Sequence, residues 1–360
     1  MKILFDASIF ELPATGIGKT TLQLYQSCIN QKNSLEIFGL HQNKLSVNLS
    51  SRIHSIQLGK NFSSAFWRSF ILPYYIKRNE SEFIHFPWNG DVSPFLNKKS
   101  VITSIHDVLP LIIPEYFDSP QKKEKYRKQK QKDINRSGLI VTVSNYSKKE
   151  IMDNFDVDTE ILVLHHGPTI QPTQEKLNNE KSDYFLYVGG YDKRKGLDNL
   201  LKRFIILRNE KKISSKLVIV GEKNYYSPQF KKLVDEGVNK GYLEEKGYIS
   251  DKLLAQLYSN AIAMVYPSKY EGFGLPPLEA MNLGCPVITT KFTSIPEICG
   301  NAAYYIENDQ DLDESLIKFE NDPNTRKKFI SLGKKQSAKF SWEDSARSFL
   351  NKITDLKSEF

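Results

Sequence analysis

The sequence predicts an α/β protein made of two domains, each built around a parallel β-sheet. With 360 residues the chain is too long for one ordinary hydrophobic core and suits two. Short apolar runs alternate with amphipathic helical stretches through both halves, which is the pattern of βαβ units. Between the halves, Pro168–Asp183 is polar and has no clear period, so we expect a linker there.

Apolar runs of strand length mark the sheet of each half. The first is Met1–Asp6, and its closing acidic residue comes too early for the apolar region of a secretion signal. The other predicted strands are Leu35–Leu40, Phe83–Phe86, Val101–Ile105, Leu139–Ser144, Tyr184–Gly189, Lys216–Gly221, Ala263–Pro267 and Val287–Thr290. The predicted domains are therefore 1–170 and 183–340, and 341–360 follows with helical periodicity over Trp342–Leu356.

Composition narrows the class of protein. Hydrophobic residues make up 40% and aromatic residues 12%, as in a globular protein, and no run of about 18 apolar residues predicts a membrane-spanning helix. The 3 cysteines lack the spacing of a metal or disulfide site, so we expect a cytoplasmic protein. A net charge of +8 suits anionic lipid or phosphorylated substrates, and because no nucleic-acid-binding motif accompanies it we predict no nucleic-acid partner.

The stretch Glu271–Met281 carries the clearest chemical signal. A Gly-Phe-Gly turn runs into a Pro-Pro pair, which suits the first turn of a helix. Backbone N–H groups from Phe273 to Leu275 can then point outward and bind an anion such as phosphate. Because carboxylates repel phosphate, we expect the flanking Glu271 and Glu279 to accept hydrogen bonds from hydroxyl groups. Phosphate beside hydroxyl-rich groups describes a nucleotide sugar.

Together with residues 282–288, this stretch resembles the Glu-x7-Glu motif of retaining glycosyltransferases of family 4. The resemblance implies the GT-B fold, in which two Rossmann-like domains face each other across a cleft and a C-terminal helix crosses back to the first domain. It also implies that Glu271 faces the donor sugar as a catalytic residue and that Glu279 binds the ribose hydroxyls. Phe273, Gly274 and Leu275 would bind the donor. The alternative is an acidic helix start, which the helix dipole also favours.

The segment Tyr187–Gly196 follows the predicted first strand of the second domain. A glycine near a strand end, here Gly190, lets the backbone approach a donor closely. Arg194 and Lys195 come next, and both side chains can bind phosphate oxygens. In the resembled family such a pair binds the donor diphosphate and stabilises the leaving charge, which implies catalytic roles for both. An exposed basic loop is the alternative.

In the first domain, the segment Gly16-Ile17-Gly18-Lys19 follows the first strand, and we expect a helix to begin at Thr20. The order Gly-Lys-Thr invites comparison with a phosphate-binding P-loop, but the required upstream glycine is missing and Pro13 stands in its place. The resembled family has a similar Gly-Ile-Gly loop near the donor phosphate or the acceptor. By resemblance, Gly16 and Gly18 are donor-binding residues.

Ser104–Asp107 closes another first-domain strand, at the edge where open α/β sheets bind ligands. The resemblance implies that His106 positions the donor sugar and stabilises charge. A histidine satisfied by the backbone is the alternative. Tyr248 and Ile249, in a turn before a helix over 251–260, are expected to touch the nucleobase. No Asp-x-Asp element stands at a predicted strand end, so we predict neither a metal nor another cofactor.

Two first-domain segments predict contact with an anionic membrane surface. Phe62–Arg78 combines aromatic residues with terminal cations, which suits a bilayer interface. Gln121–Arg136 is typical of a strongly basic helix that attracts anionic lipid or a lipid-linked diphosphate. A core helix for the first segment and a solvated basic face for the second are the alternatives.

The residues and the resemblance together predict a retaining, metal-independent hexosyltransferase at the inner face of the plasma membrane. It would move a hexose from a nucleoside-diphosphate sugar to a hydroxyl of a glycan or lipid-linked glycan in bacterial surface polysaccharide synthesis. GDP-mannose is the favoured donor and UDP-hexose the second. A nucleotide-sugar epimerase of the same fold and a non-catalytic glycan-binding protein are the alternatives, and the joint presence of both cations and both glutamates favours the transferase.

Overall fold

The computed structural model describes residues 1–11, 16–47, 49, 51–59, 62–63, 66–78, 81–88, 92–172, 183–223, 225 and 227–358. Two compact units divide the chain: the first combines Met1–Thr169 with Ser341–Phe360, and the second is Ile170–Phe340. Residues 173–182, which form most of the predicted linker, lie outside the described part of the chain, as does Pro13.

The described residues of the first unit form a seven-stranded, wholly parallel sheet. Its strands are β1 Lys2–Asp6, β2 Glu36–His41, β3 Ile53–Gln57, β4 Phe83–Phe86, β5 Val101–Ser104, β6 Leu139–Thr142 and β7 Glu160–Val163. Their order across the sheet is β3-β2-β1-β4-β5-β6-β7. On β4, Phe83 packs into one apolar cluster and Ile84 into another, so both faces of the sheet are covered.

Helices connect these strands, and local sequence chemistry sets where they begin. They are α1 Gly16–Gln31, α2 Leu72–Arg78, α3 Leu109–Ile112, α4 Pro120–Asn135 and α5 Asn145–Asn154. Ser119 caps α4 by accepting a hydrogen bond from the Lys122 N–H, and Ser144 caps α5 in the same way. A π-helical turn, Trp67–Ile71, runs directly into α2.

The second unit repeats this plan with a six-stranded parallel sheet among its described residues. Its strands are β8 Tyr184–Val188, β9 Lys216–Val220, β10 Leu243–Gly247, β11 Met264–Tyr266, β12 Val287–Thr289 and β13 Ala303–Tyr305, in the order β10-β9-β8-β11-β12-β13. Its helices are α6 Leu197–Asn209, α7 Pro228–Asn239, α8 Asp251–Asn260, α9 Leu275–Asn282, α10 Ile295–Cys299, α11 Asp309–Asn321 and α12 Pro323–Ser337.

Both sheets share one topology, which fixes where a ligand site is expected. The chain order reverses between β1 and β4 in the first sheet and between β8 and β11 in the second. Open α/β sheets bind ligands beyond the carboxyl ends of the strands at such a switch point. The two units are therefore Rossmann-like, which confirms the predicted fold class.

A last helix, α13 Trp342–Ser358, belongs to the first unit. It packs against α1, and Phe349 is buried in the same apolar cluster as Phe5 of β1. The indole N–H of Trp342 donates to the Pro168 carbonyl at 3.1 Å, which anchors the start of the helix. The chain thus returns to the first unit at its C-terminal end, as the resemblance implies.

The prediction that the first helix begins at Thr20 is wrong. α1 begins at Gly16, so Gly16 and Gly18 lie in its first turn and not in a loop. Gly18 is buried, whereas Gly16 is exposed, with nothing within 4 Å of the place its Cβ would take. Glycine costs a helix only about 0.5–1 kcal/mol relative to alanine, and the buried face of α1 offsets that cost.

Candidate functional site

Three predicted site residues meet at the switch point of the second sheet. Arg194 and Lys195 follow β8, and Glu271 follows β11. Glu271 Oε1 accepts a hydrogen bond from the Lys195 ammonium at 2.5 Å and from Arg194 Nη1 at 3.3 Å. The hydroxyls of Tyr266 and Ser268 donate to the same oxygen at 2.7 and 2.6 Å. One carboxylate oxygen thus gathers four donors.

The charges of this cluster are largely desolvated, and two cations share one carboxylate. Burial raises the pKa of Glu271, but the Lys195 and Arg194 cations lower it by more than burial raises it. The pKa therefore lies below its ordinary value, and the carboxylate is ionised at neutral pH. Burial lowers the pKa of Lys195 against the opposing effect of Glu271. The side chains of Lys195 and Glu271 are 13% and 12% exposed, so a ligand can still reach them.

The turn that carries the two cations is fixed at both ends. It is a 3-10 turn, Lys193–Lys195, and the Asp192 carboxylate caps it by accepting from the Arg194 N–H at 3.0 Å. Gly196 follows with a φ of 69°, in the left-handed region that favours glycine. A Cβ there would lie 2.4 Å from the Pro267 carbonyl oxygen, so the missing side chain lets the turn pack against the end of β11.

The Gly-Phe-Gly turn leads into α9, as its sequence predicts. Gly274 has a φ of 104° and precedes Leu275, the first helical residue. No described residue accepts a hydrogen bond from the backbone N–H of Gly274 or of Leu275, so both groups can bind an anion. The Phe273 side chain is instead buried against Phe340, with ring centroids 6.2 Å apart, and it packs within the unit.

Glu279 lies on the second turn of α9 and is 5% exposed. Burial raises the pKa of the Tyr258 hydroxyl on α8, and the negative charge of Glu279 raises it further. A carboxylate in such surroundings can accept hydroxyl donors, which is the chemistry that ribose recognition needs.

The remaining predicted residues of this unit lie at the same edge of the sheet. Gly190 follows β8 with open space where its Cβ would be, and its carbonyl accepts from the Tyr187 hydroxyl at 3.0 Å. Tyr248 and Ile249 lie between β10 and α8, and Tyr248 is 77% exposed. An exposed ring beyond a strand end is available for a ligand to contact.

His106 belongs to the first unit, together with Gly16 and Gly18, and follows β5 closely. Its Nε2–H donates to the Pro87 carbonyl at 2.8 Å, which leaves Nδ1 as an acceptor in the neutral ring. Burial lowers the pKa of His106, although Pro87 and Asp107 raise it. At neutral pH the ring is therefore uncharged and suits hydrogen bonding to a hydroxyl.

Sequence reasoning missed the residues that hold Glu271 in place. Tyr266 and Ser268 lie at the end of β11, just before the predicted motif. Thr293 and Ser294 come from the loop after β12: the Glu271 N–H donates to Thr293 Oγ1 at 3.0 Å, and the Ser294 hydroxyl donates to the Glu271 carbonyl at 2.9 Å. The one sequence feature that could have identified these residues is the presence of hydroxyl side chains just after adjacent parallel strands, where ligand sites form. No sequence motif links Thr293 and Ser294 with Glu271.

Within the described ranges, no group of three or more His, Cys, Asp or Glu side chains has the arrangement of a metal site. None of the helices in the described part of the chain is long and apolar enough to cross a membrane.

Two Rossmann-like units, with paired cations beside a helix start at the second switch point, correspond to the class of two-domain glycosyltransferases that use nucleotide sugars. Residues 170–336 match the family described as Glycosyl transferases group 1. This match spans nearly the whole second unit. The chain is thus a glycosyltransferase whose second unit belongs to the glycosyl transferases group 1 family, which confirms the resemblance found in the sequence.

Named relatives support this assignment, and a solved structure shares the fold. The chain is 27% identical to O-antigen chain mannosyltransferase B of Escherichia coli, over 98% of this chain and 99% of the relative. It is 30% identical to O-antigen chain mannosyltransferase RfbU of Salmonella typhimurium, over 62% of this chain and 61% of the relative. The structure of sucrose-phosphate synthase from Thermosynechococcus elongatus matches in fold, with a TM-score of 0.77 at 17% identity over 100% of both chains.

Proposed function

We propose that this protein is a retaining mannosyltransferase that moves mannose from GDP-mannose to a hydroxyl of a glycan or lipid-linked glycan in bacterial surface polysaccharide synthesis. The observation that carries the proposal is the junction of Arg194, Lys195 and Glu271 at the switch point of the second sheet. Similarity to mannosyltransferases, one of them over nearly its full length, supports mannose as the sugar. UDP-hexose is the second donor class.

The charges at the junction suit the departure of a nucleoside diphosphate. The diphosphate competes with Glu271 for Lys195 and Arg194, and both cations stabilise it as its bond to the anomeric carbon breaks. The acceptor oxygen bonds that carbon on the same face, and a diphosphate oxygen takes the hydroxyl proton, so the configuration is retained. Two side-chain cations serve the leaving group, so the proposed reaction needs no metal or other cofactor.

The other residues supply binding and orientation. Ionised Glu271 accepts hydrogen bonds from the sugar hydroxyls, and Glu279 accepts them from the ribose. The backbone N–H groups of Gly274 and Leu275 bind phosphate. Neutral His106 hydrogen-bonds the donor sugar. The proposal also assigns donor contacts to Gly16 and Gly18 of the first unit. In the second unit it assigns them to Gly190, Tyr248, Ile249 and the backbone of Phe273.

Two measurements test this proposal. Calorimetry with GDP, UDP and ADP, each in EDTA and in magnesium, should give the tightest binding for GDP and no requirement for the metal. Proton NMR of the product formed from GDP-mannose and an alkyl α-mannoside should show an α-linked mannose. Preferred binding of UDP would overturn GDP-mannose as the donor. A β-linked product would overturn retention of configuration. An epimerised sugar without transfer would overturn the assignment as a transferase. GDP-mannose binding without any reaction would indicate a binding protein.

We also propose that the first unit binds an anionic membrane surface, where the enzyme acts. Aromatic side chains form an exposed row beside the π-helical turn, with neighbouring centroids 5.4, 5.2 and 5.7 Å apart. The row consists of Phe62, Phe66, Phe70 and Phe95, which are 39% to 66% exposed. A contiguous aromatic patch of this kind suits the interface of a bilayer.

Residues 92 and 93 connect the basic helix α4 with the π-helical turn that carries part of this row. The Val92 N–H donates to Asp133 of α4 at 2.9 Å, and the Ser93 hydroxyl donates to the Ser69 carbonyl of the π-helical turn at 3.4 Å. Lys130 is buried and pairs with Asp133 at 3.0 Å. The other cations of α4 are exposed: Lys122, Lys123, Lys125, Arg127, Lys128 and Lys132. Exposed cations on the same unit as the aromatic row complement anionic headgroups.

Vesicle sedimentation tests the membrane proposal. Wild-type protein should bind vesicles that contain phosphatidylglycerol, more weakly as salt rises. The double variant Phe66→Ser/Phe70→Ser should lose most of this binding. Phe292→Ser removes an aromatic side chain of similar exposure, 52%, from the second unit and should leave binding unchanged. Equal binding to purely zwitterionic vesicles, or no binding at all, would overturn the proposal.

A further inference from the structure

The loop after β12 contains a backbone conformation that its sequence does not favour. Thr293 has a φ of 54°, in the left-handed region, where a β-branched residue is a true outlier. Among the described non-glycine residues only Lys211 also has a positive φ, and it comes just after the end of α6, where left-handed residues are common. Thr293 stands before α10, so no helix end explains its conformation.

In this loop conformation, two hydroxyl groups form hydrogen bonds with the backbone of Glu271. Thr293 Oγ1 accepts from the Glu271 N–H at 3.0 Å. Ser294, which is fully buried, has its hydroxyl 2.9 Å from the Glu271 carbonyl oxygen and 2.8 Å from that of Phe273. Adjacent residues of one loop therefore bind both backbone polar groups of Glu271.

We infer that Thr293 is a positioning residue, held in a strained conformation so that its hydroxyl fixes Glu271 in the proposed transferase site. Backbone strain of this kind persists only where the surrounding structure enforces it, and it concentrates at functional sites. Ser294 assists by holding the carbonyl side of the same turn. The catalytic consequence rests on the proposed function, whereas the hydrogen bond itself does not.

The geometry of the carboxylate explains why such support matters. Glu271 Oε1 lies within hydrogen-bonding distance of Lys195, Tyr266 and Ser268 at once. A small shift of the Glu271 backbone would break this arrangement, and a displacement of about 1 Å in a catalytic site can cost about 100-fold in rate. Thr293 and Ser294 limit such a shift by holding the backbone N–H and carbonyl of Glu271.

Three substitutions at position 293 separate the hydroxyl from the strain. Thr293→Ser keeps the acceptor oxygen. Thr293→Val keeps the shape of the side chain but removes the acceptor oxygen. Thr293→Gly removes both the oxygen and the backbone strain. We expect kcat of the serine variant to stay within about twofold of wild type and kcat of the valine variant to fall about tenfold or more, with GDP affinity unchanged. The glycine variant should unfold at a higher temperature yet turn over more slowly, which a merely structural role would not produce.

Amide hydrogen exchange at Glu271 tests the same contact without turnover. Exchange should be about tenfold faster or more in the valine variant than in the serine variant. Equal exchange in these two variants, or equal kcat in an active enzyme, would overturn the inference. If exchange differs as expected while wild-type protein transfers no sugar, the positioning contact stands and the proposed function fails.

Discussion

Glu271 holds, through a single oxygen, both cations that a departing diphosphate would need. Glu271→Gln keeps the shape of the side chain but removes the charge that competes for Lys195 and Arg194. We therefore expect GDP to bind about 3- to 10-fold more tightly to this variant, while sugar transfer falls by about 100-fold or more. Calorimetry with GDP and initial rates of transfer measure the two effects.

A second acidic residue supplies the contrast. Glu279→Gln should weaken GDP binding by about tenfold, because an amide is a poorer acceptor for ribose hydroxyls than a carboxylate. Glu236→Gln makes the same charge change in an exposed pair with Lys240 and should alter neither property. If Glu271→Gln and Glu279→Gln weakened GDP binding equally, the assigned division of roles between the two carboxylates would be wrong.

His85 makes the first unit sensitive to acid. Its buried ring is hydrogen-bonded to the Tyr25 hydroxyl at 2.7 Å and the Ser104 hydroxyl at 2.8 Å. Burial, with a smaller contribution from His106, lowers the pKa of His85 to about 3. The unfolded chain takes up this proton near pH 6.5, so the free energy of unfolding falls as pH drops from about 6.5 towards 3, by about 1.4 kcal/mol per pH unit.

Urea unfolding at pH 7 and pH 5 measures this effect. The variant His85→Gln has no group to titrate at this position. From pH 7 to pH 5 its free energy of unfolding should therefore fall by about 2 kcal/mol less than that of wild type. Equal falls in the two proteins would show that His85 is not the group responsible.

At the scale of elements, the turn Lys193–Lys195 depends on the glycine that ends it. Gly196→Ala places a Cβ 2.4 Å from the Pro267 carbonyl in addition to the cost of a left-handed alanine. Gly241 also has a φ of +69° but nothing within 4 Å of its Cβ position, so Gly241→Ala carries the left-handed cost alone. We expect both variants to lose about 1 kcal/mol of stability from backbone strain.

Only Gly196→Ala should also weaken GDP binding, because the clash displaces the turn that carries Arg194 and Lys195. Thermal unfolding and calorimetry of the two variants separate these effects. Unchanged GDP affinity in Gly196→Ala would mean that the turn does not set the position of the cations.

The strands that could be predicted from the sequence are the central ones. The residue patterns anticipated β1, β2, β4, β5 and β6 in the first sheet and β8, β9, β11 and β12 in the second, with ends correct to within one or two residues. The four strands that were missed, β3, β7, β10 and β13, are the edge strands of the two sheets. Their partly exposed residues break the apolar runs on which the prediction depends.

The candidate site could also be predicted from the sequence only in part. Glu271, Arg194 and Lys195 could be chosen from their sequence context, but their direct contact could not, because it joins loops that are 76 residues or more apart. The hydroxyls of Thr293 and Ser294 reach Glu271 from a further loop for the same reason. Gly16 and Gly18 lie in α1 and not in the loop that the resemblance implies, because burial along α1 overrides the low helix propensity of glycine.

On the scale of the whole molecule, the two units differ in how the chain builds them. The second unit is continuous in sequence, whereas the first needs the segment that begins at Ser341. Trp342, Phe349 and Ile353 of α13 are buried in the cluster that contains β1 residues. The first unit therefore cannot complete this cluster until α13 is present, and contacts so distant in sequence form slowly.

Phe349 tests this dependence. Its side chain is fully buried, and its ring centroid lies 5.7 Å from that of His85. Phe349→Ala should lower the free energy of unfolding of the first unit by about 3–5 kcal/mol, because the cavity forms in a well-packed core. Calorimetry should show that the first unit of the variant unfolds at a lower temperature. The unfolding transition of the second unit, which GDP stabilises, should keep its temperature. Exposed Phe292→Ala should shift neither, and a shift of both transitions in Phe349→Ala would show that the units unfold together.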